Sequence, residues 1–361
     1  MEIANWRWIF FINIPLSAMV SWVIFALTNK DPKRDKSKKM DLEGTAYLVV
    51  SLVSLMFGLN KSSEWGATSL TFWSVMALSA VSFLLLIRVQ RKKSSPLIPM
   101  DLLANKAFST CSAAYVAFSY SFSSALFLLG LYMQSILEYS AMYAGTVFIA
   151  MTLTMGVLSP FGGTLTDKIG GRAPIGWGMA VIAVASVLFS TFSPSTSVYQ
   201  LVGVLVFLGL GFGVVNSALN TVMLKSVKED EVSTGSGTFT MIGTFANSLG
   251  VVISTELLLS WGKKDVFSAI QSSGLSLSWD QLKIVESVMS STHYDIKKLS
   301  EFSPEIFTQL MTHINASFVS AMGSTMLVCA FLSSIGTLIV FKGLKKQKNS
   351  NKLHAQKANS L

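Results

Sequence analysis

From Tyr199 to Met223 the sequence reads YQLVGVLVFLGLGFGVVNSALNTVM, a run without a single charged residue. A hydrocarbon core about 30 Å thick needs roughly 20 apolar residues in helix, because no water inside it can satisfy free backbone groups. The run therefore predicts a membrane-spanning helix. Eight more stretches of the same kind flank it, at Trp8–Thr28, Leu42–Leu59, Leu70–Ile87, Phe108–Met133, Tyr143–Thr164, Pro174–Phe192, Gly235–Trp261 and Phe318–Phe341. The expected fold class is an all-α integral membrane protein with about nine transmembrane helices.

Composition agrees. Of 361 residues, 51% are hydrophobic and 13% charged, and the mean hydropathy is +0.54, whereas soluble domains carry about 25% charged residues. A soluble protein with an oversized core is the alternative, and the run lengths argue against it. The net charge is +9. A basic balance can signal nucleic-acid binding, but here the cations sit in short clusters between apolar runs, a pattern of membrane topology. Cys111 and Cys329 lie inside apolar runs and read as small buried hydrophobes. His293, His313 and His354 are far from any helix centre. No metal site, cofactor or histidine catalysis is expected. Neither a P-loop, a zinc spacing, a nucleophile elbow nor a dinucleotide fingerprint occurs, so neither enzymatic chemistry nor ATP hydrolysis is expected of this chain.

Lysine and arginine set the direction of the helices. With the N-terminus outside, 21 of the 28 basic residues fall on inside segments: Lys30–Lys39, Arg88–Lys106, Lys168–Arg172, Lys225–Lys228 and from Lys342 onward. Short outside loops hold only Arg7 and Lys61, the rest lying in the long segment Gly262–Asn315. The expected topology is multi-pass, with the N-terminus outside and the C-terminus inside. A signal peptide is the other reading of the first run, but that run is long and ends in a basic block rather than a small-residue cleavage site. Arg88–Lys106, interrupted by prolines, is expected to lie on the membrane surface. Gly262–Asn315 is expected to be an outside loop with helical patterns near Trp279–Met289 and Pro304–Thr312.

Few residues at membrane depth offer chemistry. In the loop Gly163-Thr164-Leu165-Thr166-Asp167-Lys168-Ile169-Gly170-Gly171-Arg172, glycines permit a tight turn, and Asp167 can pair with Arg172 or face a helix N-terminus. Such a contact can hold one conformation and release another; an ordinary charged turn is equally open. Gly203, Gly209, Gly211 and Gly213 fall in one helix, where glycines allow close packing or bending. Asn216 and Asn220, four apart, share a face; these two and Asn247 read as packing with interhelical hydrogen bonds or as cavity lining. Tyr115, Phe118 and Phe122 share a face beside a stripe of Ser119, Ser123 and Gly130. Aromatics there suit lipophilic or cationic ligands, or plain packing. Glu256, toward the outer end of its helix, is the one proton-coupling candidate, with an interfacial carboxylate as the simpler reading.

These residues resemble a known family. Trp6-Arg7-Trp8-Ile9-Phe10-Phe11-Ile12-Asn13-Ile14-Pro15 is similar to the start of the sixth helix in fourteen-helix major facilitator carriers, the EmrB/QacA type of drug:proton antiporter. Met40-Asp41-Leu42-Glu43-Gly44, with Glu64-Trp65-Gly66, resembles their seventh-helix pattern. Pro96-Leu97-Ile98-Pro99 with Leu102-Leu103 and Phe108 resembles their entry to helix nine. Gly163–Arg172 resembles the second copy of the facilitator loop motif, and Gly209-Leu210-Gly211-Phe212-Gly213 their glycine-rich twelfth helix. Five matches in order at family spacing are more specific than any one.

The resemblance implies a major facilitator fold whose first bundle is incomplete. Residues 1–28 would be its remnant, 29–107 two linker helices with the amphipathic segment, 108–341 a six-helix C-terminal bundle carrying the outside loop 262–315, and 342–361 a basic tail. It implies alternating access and exchange of lipophilic or cationic small molecules for protons. Implied partners are the bilayer, those small molecules, the family's N-terminal helices as a separate chain and, in Gram-negative cells, a periplasmic adaptor; no nucleic acid is implied. Two departures stand out. Family members often carry an arginine where Gly243 stands, and the first five helices would be missing, making a shortened carrier whose activity alone is in question. A non-transporting scaffold or regulator, and a facilitator for a lipid, siderophore or metabolite, are the alternatives.

Overall fold

A computed structural model describes residues 8–27, 41–66, 68–93, 96–273, 285 and 303–345. The chain divides into two compact units, Met1–Met40 and Asp41–Leu361.

The first unit holds α1 (Trp8–Phe11) and α2 (Asn13–Leu27). One apolar run thus becomes two helices with a break at Ile12. The cause is Pro15, whose ring would clash with the carbonyl four residues back, that of Phe11. The second helix runs for 15 residues to the edge of the described residues.

The second unit holds α3 (Leu42–Asn60), α4 (Ser62–Trp65), α5 (Leu70–Gln90), α6 (Met100–Ala104), α7 (Lys106–Leu131), α8 (Ala141–Ile169), α9 (Arg172–Phe189), α10 (Val198–Ser226), α11 (Val232–Ser272) and α12 (Pro304–Gly343). Among the described residues there is no strand. Among the described residues, eight of these helices are long and apolar enough to cross a membrane and match eight of the nine expected spans; the first expected span falls on α1 and α2, at the edge of the described residues. The amphipathic segment becomes the last turn of α5, an irregular stretch and the one-turn α6.

Starts follow the side chains that satisfy orphan N–H groups. Asn105 accepts from the N–H of Ala107 at 2.9 Å and of Phe108 at 3.3 Å. Ser197 and Gln200 form a reciprocal capping box at α10. Other starts are capped by Asp41, Ser69 and Ser140.

Helix α7 is the axis of the bundle, packing on α10, α11 and α12; α10 in turn packs on α8 and α9, and α9 on α12. Phe108, Leu128, Tyr132, Phe189, Phe212 and Phe318 are buried in one continuous core. The exterior is the reverse, with Trp177 68%, Phe331 65% and Leu70 86% exposed. A continuous apolar surface of this kind suits lipid and not water. Helices α3 and α5 pair with each other, and α3 also touches α11.

The expected loop Gly262–Asn315 is corrected at both ends. Helix α11 runs on to Ser272 and α12 starts at Pro304. Hydropathy marks where a bilayer ends, not where a helix does, and Lys263, Lys264 and Asp265 are tolerated in helix once outside lipid. Val266 and Ile270 of α11 pack with Leu310 and Ile314 of α12 and with Val285 in a small second core. The rest of the Trp279–Met289 pattern, the block Lys30–Lys39 and the tail beyond Lys345 lie outside the described residues.

Candidate functional site

The aromatic face of α7 is continuous and partnered. Tyr115 and Phe118 stack at 5.8 Å between centroids, and Phe118 and Phe122 at 6.1 Å. Phe239 of α11 lies parallel to Tyr115 at 4.2 Å. Phe212 of α10 meets Phe118 and Phe122 edge-on at 5.6 and 5.0 Å. Five rings from three helices thus form one spine. Phe118 is buried, while Tyr115 and Phe122 are half-buried, so the spine has a packed back and a partly open front. Phe212 and Phe239 were not singled out from sequence; their partners on α7 are too distant along the chain for any local spacing to show.

Beside the spine runs a polar stripe. Ser124 donates to the Gly250 carbonyl at 3.1 Å and receives from Ser254 at 2.8 Å, tying α7 to α11. Ser121 and Ser333 lie 3.0 Å apart, tying α7 to α12. Ser123 bonds its own helix, at the Ser119 carbonyl. Asn220 donates to the Asn216 carbonyl at 2.8 Å. That bond is within α10, not between helices as expected, because a spacing of four lets the amide reach back one turn. Asn216 and Asn220 continue in steps of four from Phe212. Asn247 of α11 carries a buried side-chain oxygen without a hydrogen-bond partner among the described residues. It lies one turn from Gly243, which abuts Tyr115, and from Gly250, which abuts Ser123. Gly130 has open space around it.

The glycines of α10 bring backbones together. A Cβ on Gly209 or Gly213 would collide with the carbonyls of Met151 and Met155 on α8, and one on Gly211 with Ile182 on α9. Gly203 faces open space.

The loop motif joins α8 to α9. Gly163 faces Ser217 of α10. Gly170 ends α8 at φ 85°, a conformation costly for other residues. Asp167 does not pair with Arg172. Its Oδ1 lies 2.7 Å from Lys225 Nζ at the end of α10, both side chains being 57% exposed. The Arg172 guanidinium sits over the Phe341 ring at 5.6 Å. The reason is geometric: Arg172 is the first residue of α9 and projects toward α12, while the last turn of α8 lies along α10. Lys168 is exposed.

Glu256 is half-buried between the buried Ser254 and Leu258. Because α11 continues for about four further turns, Glu256 is not near the helix end, contrary to expectation. Its level is set by Ser254, which bonds Ser124 about two turns before the end of α7 at Leu131.

One polar cluster was not singled out as a site from sequence. Asp41 accepts from the Gly44 N–H at 2.8 Å and from Gln90 at 2.6 Å, and pairs with Lys93, which also meets Glu43 at 2.9 Å. Gln90 in turn accepts from the Ile98 N–H at 3.1 Å. Burial pushes the Asp41 carboxyl up, but hydrogen bonds from Lys93, Gly44 and Gln90 and the Lys93 charge outweigh it and hold it at about 2. The cluster clasps the start of α3 to the end of α5. A carboxylate just before an apolar run was the available signal; its partners were not legible.

Residues 1–251 match the Major Facilitator Superfamily. The quinolone resistance protein NorB of Staphylococcus aureus strain MRSA252 is 29% identical over 253 residues, which is 69% of this chain and 54% of that protein. NorB of strain Newman is 28% identical over the same extent. The chain spans about half the length of the curated relatives it matches. A crystal structure of a bacterial homolog to the human lysosomal transporter Spinster, inward-facing and unoccupied, aligns at TM-score 0.44 and 11% identity over 84% of this chain and 70% of that one. That likeness is too distant to bear on the fold.

Proposed function

The chain belongs to the Major Facilitator Superfamily, and from that premise we propose that it acts in the bacterial cytoplasmic membrane to expel lipophilic or cationic small molecules in exchange for protons. The observation that carries the reading is the aromatic spine, with the rings of Tyr115 and Phe122 half-open along a packed row. An apolar wall with aromatic faces binds flat lipophilic cations by burial and cation–π attraction, and discriminates weakly among them. Asn247, with an unpartnered oxygen near that wall, supplies a polar group for orientation. The quinolone resistance named in the relatives fits such cargo.

In this reading the Asp167–Lys225 pair holds one conformation and opens in the other. An exposed pair worth about 0.2–1 kcal/mol suits a contact that must break repeatedly. Glu256 is the proton-coupling candidate, as a half-buried carboxylate within one turn of Ser254 along α11. The N-terminus faces outside and the C-terminus inside, as the basic residues direct.

The test is ethidium accumulation in cells lacking their own efflux pumps. Expression of this chain lowers accumulation, and a protonophore abolishes the difference. Tyr115→Ala and Phe122→Ala weaken the effect, and Glu256→Gln removes its proton dependence. Accumulation equal to the empty-vector control, with the chain verified in the membrane, overturns the reading.

A further inference from the structure

We propose that the basic pocket beside the α8–α9 loop binds a phosphate group, and that this group is the headgroup of an anionic phospholipid. The pocket is a cavity of about 220 Å³ where the ends of α8, α10 and α12 meet the starts of α7 and α9. Three cations border it: Arg172, Lys225 and Lys345. Among the described residues Arg172 and Lys345 make no ion pair, and Lys225 has a single carboxylate partner, Asp167. Three positive charges around one cavity, with one carboxylate at the rim, leave a net demand for an anion.

Two further features prepare it for phosphate. The Arg172 guanidinium is already held, over the Phe341 ring, so its planar fork is presented without a large loss of side-chain freedom. Helix α9, 18 residues long, starts at the pocket with no side-chain cap, since its N-cap is Gly171. Its first N–H groups and its dipole therefore favour a negative charge there.

The lipid source follows from what lies across the same loop. An apolar cavity of about 320 Å³ opens there, bordered by Ile169, Ala173, Trp177, Leu210 and Val214. Trp177 faces outward from it, 68% exposed. A phospholipid can place its phosphate among the cations and an acyl chain in the groove; free phosphate uses only the first. The basic end is also the end expected to face the cytoplasmic leaflet, where anionic lipids concentrate. A bound phosphate would compete with Asp167 for Lys225, so lipid and ion pair are linked. This inference does not depend on which cargo the protein moves.

Native mass spectrometry of the purified full chain from mixed micelles tests it, with phosphatidylglycerol, phosphatidylcholine and inorganic phosphate as probes. The expected result is one retained phosphatidylglycerol in preference to phosphatidylcholine. Removing one cation costs about fivefold in affinity, at about 1 kcal/mol for each Lys or Arg. Arg172→Gln and Lys345→Gln both show that loss, whereas Asp167→Asn, which frees Lys225, strengthens retention. Lys345 is exposed beyond the end of α12, so its substitution separates site loss from misfolding. Equal retention of the two lipids, or retention unchanged in all three variants, overturns the proposal. Displacement by millimolar inorganic phosphate, with no preference between the lipids, overturns the lipid assignment.

Discussion

The ring of Tyr115 fills the space that a side chain on Gly243 would need, and stacks on Phe239 at 4.2 Å. Glycine here is a packing requirement, and the resemblance that expects arginine at this position meets a site already occupied. Gly243→Ala overpacks it, at a typical cost of about 1–3 kcal/mol. Unfolding in detergent checks this. In the Tyr115→Ala background the same substitution costs little, because the ring is gone; equal costs in both backgrounds would show the two residues to be independent.

Asp167→Asn removes the pair with Lys225, but both side chains are largely exposed. Stability should fall by no more than about 1 kcal/mol. Dye efflux should fall much further if the pair holds a conformation. A melting temperature and an efflux rate measured on the same variant separate the two effects, and a parallel small loss in both reduces the pair to a surface contact.

Asp41 gives a pH signature. Its folded pKa, about 2, lies below its ordinary value of 3.8, so it contributes stability that is full above about pH 4 and is lost as pH falls toward 2. Melting temperature scanned from pH 6 to pH 2 should drop across that window in the parent. Asp41→Asn should start lower, by about 1.5–3 kcal/mol for hydrogen bonds to a charged group, and show a shallower drop.

The serine pair Ser124–Ser254 is buried and crosses from α7 to α11 at 2.8 Å. Polar contacts between membrane helices average about 0.6 kcal/mol in double-mutant cycles. A cycle with both serines changed to alanine should return a coupling of that size. A coupling near zero would mean that each hydroxyl finds another partner when its mate is lost.

The spans were legible because a bilayer imposes length and apolarity on each helix separately. The ends of α11 and α12 were not, since Lys263, Lys264 and Asp265 look like a loop to a hydropathy argument and like an ordinary exposed turn to a helix. Tyr115, Phe118 and Phe122 were legible as one face from their spacing. What they face was not: Phe212 and Phe239 come from helices far along the chain. Asp167 shows the same limit. Nearness in sequence suggested Arg172, while the fold brings Lys225 to it. The clasp at Asp41 depends on Gln90 and Lys93, whose side chains carry no mark of their target.

The length of α11 and α12 has a mechanical consequence. At 41 and 40 residues each is about 60 Å long, twice the depth of a hydrocarbon core. Val266, Ile270, Leu310 and Ile314 bind the two together near the far end of α11. The pair is a lever: a tilt of about 10° inside the bilayer swings a tip roughly 30 Å away by about 5 Å. A spin label on that tip would amplify small rearrangements around the aromatic spine into a displacement large enough to measure.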